Sequence, residues 1–132
     1  CKELVATNNL EERVHFTGHV PNNVARGLLE ESHVMVLASY DFDNQPMIIL
    51  EALVAGKPIL YCDPALRDGL SDKNALLVSH SVRGLAHGIL TLASNSKLRA
   101  SMARNSRVLA KNYTTEAITK QILTIYSELV NS

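Results

Sequence analysis

The sequence has no excess of charge, because thirteen lysine and arginine residues balance thirteen aspartate and glutamate residues. Nucleic acids and anionic membranes are bound through basic surfaces, so this balance argues against both as partners. No apolar run reaches the length of a membrane span, and no signal peptide is visible. These absences predict a cytoplasmic protein.

Cysteines and metal-binding motifs are also scarce. Cys1 and Cys62 lie far apart, and Cys62 ends an apolar run, which favours a buried free thiol over a disulfide. The sequence contains no C-x-x-C and no H-E-x-x-H, and we expect neither a metal ion nor a cofactor. It also lacks the nucleophile motif G-x-S-x-G, which argues against hydrolase chemistry.

What is present suits one globular domain. The chain has 132 residues, of which 46% are hydrophobic, enough to build a single core over residues 1–132. It begins with Cys rather than Met, and "CKELVATNNL" looks like the end of a helix. We therefore expect this sequence to be a piece of a longer protein.

Strands and helices are predicted to alternate along the chain. A short segment ended by Gly18 predicts a strand at residues 14–16, and apolar runs predict strands at 33–39, 57–62 and 74–79. Apolar residues at helical spacing predict helices at 21–31, 46–55, 82–93, 98–109 and 118–129, the last capped by a threonine. This alternation indicates an α/β fold, a Rossmann-like parallel sheet with flanking helices.

Ligands of such sheets bind at the carboxyl ends of the strands. One helix, residues 46–55, should begin there, with Pro46 in its first turn and Gly56 just past its end. Its first backbone amides and its dipole suit a phosphate. Arg67, in a loop at the same edge, could reach a phosphate, but we expect it to pair with Asp63 or Asp68.

Two carboxylates belong to the same region. Asp43 precedes the helix, and Glu51 follows eight positions later, just over one turn into it. Carboxylates accept hydrogen bonds and suit the hydroxyls of a sugar or ribose, so amides and carboxylates together describe a nucleotide sugar. The alternatives are that Asp43 is an ordinary loop or helix-start carboxylate and that Glu51 points to solvent beside Lys57.

The run "RVHFTGHVPNNVARGLLEESHVMVLASYDFDNQPMIILEALVAGKPIL", followed by "NALLV" and "YTTEAITKQILTIYSEL", resembles a known family. It is similar to the carboxy-terminal, donor-binding half of retaining GT-B glycosyltransferases (glycosyltransferase family four, group 1 type), with their E-x7-E motif. The resemblance covers nearly the whole chain. Two departures are an Asp where the motif's first acid is Glu, and a loop "DPALRDG" without the usual glycines.

The resemblance implies roles for particular residues. Asp43 takes the place of the first acid, which faces the transferred sugar near the reacting carbon, and is the catalytic candidate. Glu51 takes the place of the second acid, which binds the ribose hydroxyls. The other donor-binding candidates are backbone positions near the sugar, diphosphate and base: Gly18, His19, Asn44, Gln45, Pro46 and Met47.

The resemblance also implies a function and a missing part. It implies a hexosyltransferase of bacterial polysaccharide biosynthesis, using a nucleoside diphosphate sugar and a glycan, polysaccharide or cell-wall polymer as acceptor. The whole protein could associate with the inner face of the membrane. The resembled sheet has two further strands, which we expect to lie in space between the strand at 14–16 and the strand at 33–39. These strands and an amino-terminal acceptor domain are absent from this sequence, so this piece alone should be inactive.

Two alternatives to transfer are open. One is another enzyme on the same scaffold, a sugar phosphorylase or a nucleotide-sugar epimerase. The other is a doubly wound regulatory or interaction module, although the acidic pair and lysine of a receiver-type module are not seen. Fold alone does not choose between them, and the context of Asp43 and Glu51 favours transfer.

Overall fold

A computed structural model describes residues 1–41 and 44–130. At its centre is a parallel sheet of three strands in the order β1–β2–β3. The strands are β1 (Met35–Leu37), β2 (Ile59–Tyr61) and β3 (Ala75–Leu77). Met35 pairs with Ile59, and Ile59 pairs with Ala75, so the three strands run side by side in the same direction. The predicted α/β class is confirmed.

The described residues form six helices. They are α1 (Lys2–Thr7), α2 (Asn22–Glu31), α3 (Met47–Val54), α4 (Val82–Ser94), α5 (Ser96–Ala110) and α6 (Thr115–Val130). A 3₁₀ turn, Lys111–Tyr113, joins the last two. The predicted threonine cap of α6 is confirmed, because the Thr114 hydroxyl accepts a hydrogen bond from the Ala117 amide at 3.2 Å. No helix in the described part of the chain is long and apolar enough to cross a membrane.

The central strand β2 is covered on both faces. Ile59 belongs to a buried cluster with Ile49 and Leu53 of α3. Leu60 points to the opposite face and packs with Leu92 of α4 and Met102 of α5. Successive strand residues face opposite sides of a sheet, so an uninterrupted apolar run is what a strand buried on both faces requires.

The strand predicted at residues 14–16 is wrong. This segment forms no strand, and Val14 and Phe16 are 38% and 48% exposed. The neighbour of β1 in the sheet is β2, and Val36 of β1 is 44% exposed. An extended segment becomes a strand only by pairing, and the described residues offer this one no partner. The expected separation of residues 14–16 from β1 agrees with this arrangement.

Lys57, two residues before β2, links the sheet to the end of α2 through hydrogen bonds. Its ammonium group donates hydrogen bonds to the carbonyl oxygens of Glu30 at 2.6 Å and Ser32 at 2.9 Å, at the end of α2. The last carbonyls of a helix have no intrahelical donor, and a cation there also interacts favourably with the helix dipole. The carbonyl of Lys57 in turn accepts a 2.8 Å bond from the Ser106 hydroxyl of α5.

We expect Lys57→Met to lower the free energy of unfolding by about 1–3 kcal/mol, since hydrogen bonds to a charged group are worth about 1.5–3 kcal/mol. Urea denaturation followed by circular dichroism measures this. The exposed Lys120→Met on α6 is the control and should change stability by less than about 0.5 kcal/mol. Equal effects of the two substitutions would contradict the anchoring role.

Candidate functional site

The start of α3 has the features predicted for an anion site. Pro46 occupies the N-cap position and contributes no side-chain cap. The first intrahelical bond runs from the Ile49 amide to the Pro46 carbonyl at 3.0 Å, so the amides of Met47 and Ile48 precede it. Amides in this position, together with the helix dipole, favour an anion.

Glu51 is exposed and lies in a cleft between α3 and α2. The cleft has a volume of about 390 Å³. Met47 and Glu51 lie on its α3 side, and Asn22 and Arg26 lie on its α2 side. Lys57, considered as a neighbour of Glu51, instead bonds the end of α2. Most of the other lining residues are apolar, so Glu51 lies in a largely apolar concavity that contains a few polar groups.

The loops that follow the three strands meet, as the fold predicts. The Asp41 amide, after β1, donates to an Asp63 carboxylate oxygen, after β2, at 2.8 Å. The Tyr40 ring stacks on the His80 ring, after β3, with centroids 4.5 Å apart. A second concavity of about 390 Å³ lies here, and its lining includes Tyr40, Cys62 and His80. Of the residues that the structure describes, none lines both this concavity and the Glu51 cleft.

Cys62 is a buried free thiol, as predicted. It lies 3.6 Å from the carbonyl oxygen of Ser39, a weak hydrogen bond. Burial, and to a smaller extent the negative charge of Asp63, raises the pKa of the Cys62 thiol above its ordinary value. A raised pKa keeps the thiol protonated, so Cys62 is a packing residue and a poor nucleophile.

The predicted donor-binding residues do not all line the same cleft. Asn44, Gln45 and Met47 are exposed, and Met47 shares the cleft with Glu51. Gly18 has a positive φ of 65°, and His19, also exposed, lies three positions before Asn22. The catalytic candidate Asp43 lies outside the described residues. The structure brings Met47 and Glu51 together, and the roles assigned to all eight residues stay predictions.

Asp63 makes contacts that differ from those expected. Its two carboxylate oxygens accept backbone amides, from Asp41 at 2.8 Å and from Ala65 at 2.9 Å, so its bonds are to amides and not to Arg67. Backbone amides can satisfy a carboxylate as well as a guanidinium can. The sequence shows that a charged residue such as Arg67 is near Asp63 in the chain, but it does not show which backbone amides come close in the fold. Arg26 was also missed, because its helical position gave no sign that α2 faces Glu51.

Metal binding receives no support from the geometry. Among residues 1–41 and 44–130, no three histidine, cysteine, aspartate or glutamate side chains are arranged to hold a metal ion.

Comparison with known proteins adds the family. Residues 1–95 match the family described as "Glycosyl transferases group 1". The chain is 27% identical over 133 residues to an uncharacterized glycosyltransferase of Methanocaldococcus jannaschii, covering 96% of this chain and 33% of that protein.

Solved structures show the same architecture. Sucrose-phosphate synthase from Thermosynechococcus elongatus superposes with a TM-score of 0.78 at 22% identity, over 98% of this chain and 33% of that one. Anabaena HepE, solved in complex with UDP, gives 0.77 at 24% identity, over 96% and 36%. The chain thus spans about a third of the length of these proteins.

A parallel sheet flanked by helices, with a cleft beside the helix that follows β1, defines a Rossmann-like domain of the GT-B glycosyltransferase type. The chain belongs to the group 1 glycosyl transferase family. This membership supports sugar transfer and disfavours the regulatory-module alternative.

Proposed function

We propose that this chain is the donor-binding part of a retaining glycosyltransferase that moves a hexose from a nucleoside diphosphate sugar to a glycan, polysaccharide or cell-wall polymer. The observation that carries the proposal is Glu51, exposed in a cleft that runs along α3 from Met47 to Ala55. Family membership supplies the reaction class. Catalysis in such a site rests on positioning and on stabilising the departing diphosphate.

In this proposal, each part of the nucleotide lies beside the protein groups whose chemistry suits it. The diphosphate lies over the first turn of α3, where the Met47 and Ile48 amides precede the first helical bond. The Glu51 carboxylate, one turn further, accepts bonds from two adjacent ribose hydroxyls, and such charge-assisted bonds are about twice as strong as neutral ones. The base extends towards α2, where Asn22 and Arg26 line the cleft.

The whole enzyme would contain more than this chain. The relatives are about three times as long as this chain. A further part of the enzyme would bind the acceptor, while this part binds the donor. Apolar side chains along α6 are exposed, among them Ile125 and Leu129. An additional part of the protein packed against them would bury this surface. Cytoplasmic location, use of no cofactor and a role in polysaccharide synthesis stay predictions of the sequence.

Glu51→Ala should weaken binding of free nucleoside diphosphate by about 1.5–3 kcal/mol, the scale of hydrogen bonds to a charged group. This is roughly a 10- to 150-fold increase in Kd. Isothermal titration calorimetry with UDP, GDP and ADP measures it and also identifies the preferred base.

Glu31→Ala is the matched control, because Glu31 is an exposed carboxylate on α2 that does not line the cleft. It should leave affinity within twofold of the parent value. If none of the nucleotides binds the unsubstituted protein, or if both alanine variants bind equally well, the donor-site assignment is wrong.

A further inference from the structure

Asp63 is a buried carboxylate that links two loops. It follows β2, is only 4% exposed, and accepts amides from both sides. Asp41, in the loop after β1, donates to one oxygen at 2.8 Å, and Ala65, in its own loop, donates to the other at 2.9 Å. Burying a charge is costly unless it is hydrogen-bonded, so this placement is stable only while both amides stay in position.

The backbone at Asp41 needs such support. Its φ is 52°, in the left-handed region that only a few per cent of non-glycine residues adopt. A non-glycine residue in this region persists where the surrounding structure holds it. The Asp63 oxygen bonds the amide of this very residue, so it selects the turn that the chain makes after β1.

The preceding residue is fixed from another direction. The Tyr40 ring stacks on the His80 ring with an interplanar angle of 8° and a centroid distance of 4.5 Å. His80 belongs to the loop after β3, so Tyr40 and Asp41 are held by the loops of two different strands. The direction of the chain leaving β1 is thus fixed at two consecutive residues.

We propose that Asp63 is a positioning residue for sugar transfer, assisted by His80. It holds the turn at Asp41, two positions before Asp43 in the sequence and six before the first residue of α3. The inference rests on the proposed function, since it is the donor sugar that this loop would meet. Asp63 touches no substrate itself and acts through the backbone of Asp41.

The test compares Asp63→Asn with Asp68→Asn in the whole enzyme. Asparagine keeps one acceptor oxygen and replaces the other with a donor, so one of the two amide bonds is lost. Asp68 is an exposed carboxylate in the same loop. We expect Asp63→Asn to lower kcat for transfer on the order of 10- to 100-fold, the scale of a displacement of about 1 Å near the reacting groups. Affinity for free UDP, GDP or ADP should stay within threefold, and Asp68→Asn should change neither.

Hydrogen–deuterium exchange provides a readout that does not depend on activity. Exchange of the peptide covering residues 38–47 should speed up in Asp63→Asn, and to a smaller extent in His80→Ala, while β2 and α4 stay protected. A uniform rise in exchange, or an equal loss of nucleotide affinity and kcat, would show a merely structural role and overturn the proposal. Unchanged kcat with wild-type exchange would overturn it too. Absence of nucleotide binding in the unsubstituted enzyme would instead refute the donor site. Hydrogen–deuterium exchange would still test whether Asp63 holds the backbone at Asp41.

Discussion

Asp43→Ala is expected to lower the turnover of sugar transfer on the order of 100-fold while leaving the Kd for free nucleoside diphosphate unchanged. Removing one group that stabilises developing charge in a transition state typically costs about 10²–10³ in kcat. The resemblance assigns Asp43 to the transferred sugar near the reacting carbon, whereas a free nucleoside diphosphate keeps its ribose and lacks that transferred sugar. The substitution should therefore separate chemistry from nucleotide binding, in the direction opposite to Glu51→Ala.

The measurement combines steady-state kinetics of the whole enzyme with calorimetry on the nucleotide and on the intact nucleotide sugar. Asp72→Ala is the control, because Asp72 is an exposed carboxylate in the loop before β3. Equal losses of free-nucleotide affinity in Asp43→Ala and Glu51→Ala would remove the proposed division of labour. Full activity in Asp43→Ala would show that the shorter acid at this position has no part in transfer.

The strands could be predicted where burial on both faces leaves a mark in the sequence. The segments around Leu60 and Leu76 are apolar at consecutive positions because α3 packs against one face and α4 and α5 against the other. Residues 14–16 carry two apolar residues, one on either side of His15, and could extend in the same way, but strand formation depends on a neighbour, and a neighbour is not a local property. Sequence therefore identified a segment able to pair and could not supply its partner.

The site was predictable to the extent that it depends on one helix. Pro46 and Gly56 mark the ends of α3, and Gly56 has the positive φ of 64° expected of a glycine just past a helix. Glu51 could be placed on that helix by counting residues. The wall formed by Arg26 of α2 could not be placed in this way, because it depends on how two helices pack.

The hydrogen bond between the Asp41 amide and the Asp63 carboxylate could not be predicted from the sequence, for a similar reason. Asp41 and Asp63 are separated by 22 positions, and the bond joins a backbone amide to a side chain. Any residue has an amide, so only the carboxylate is visible in the sequence. Charge complementarity pointed to Arg67 because guanidinium and carboxylate are recognisable by type. Contacts to backbone groups are where local pattern gives the least information.

Leu60→Ala should destabilise the protein by about 2–5 kcal/mol, the range for truncating a large buried side chain. Leu60 is fully buried on the middle strand and packs with Leu92 and Met102. Directly above it, α4 carries Gly88, where an added Cβ would lie 2.5 Å from Leu60 Cδ1 and 2.9 Å from Val78 Cγ1. The absence of a side chain at residue 88 lets α4 approach the sheet closely enough to cover Leu60.

This contact predicts coupling between the two sites, measurable by urea unfolding. Alone, Gly88→Ala should destabilise, because overpacking costs about 1–3 kcal/mol and exceeds the gain of up to about 1 kcal/mol from alanine in a helix. In Leu60→Ala the nearest clash is gone, so the double variant should be more stable than the sum of the single effects by about 1 kcal/mol or more. Gly27→Ala is the control, since nothing lies within 4 Å of its added Cβ. It should stabilise slightly and add independently, and a Gly88→Ala effect that also adds independently would show that α4 does not lie against Leu60 as described.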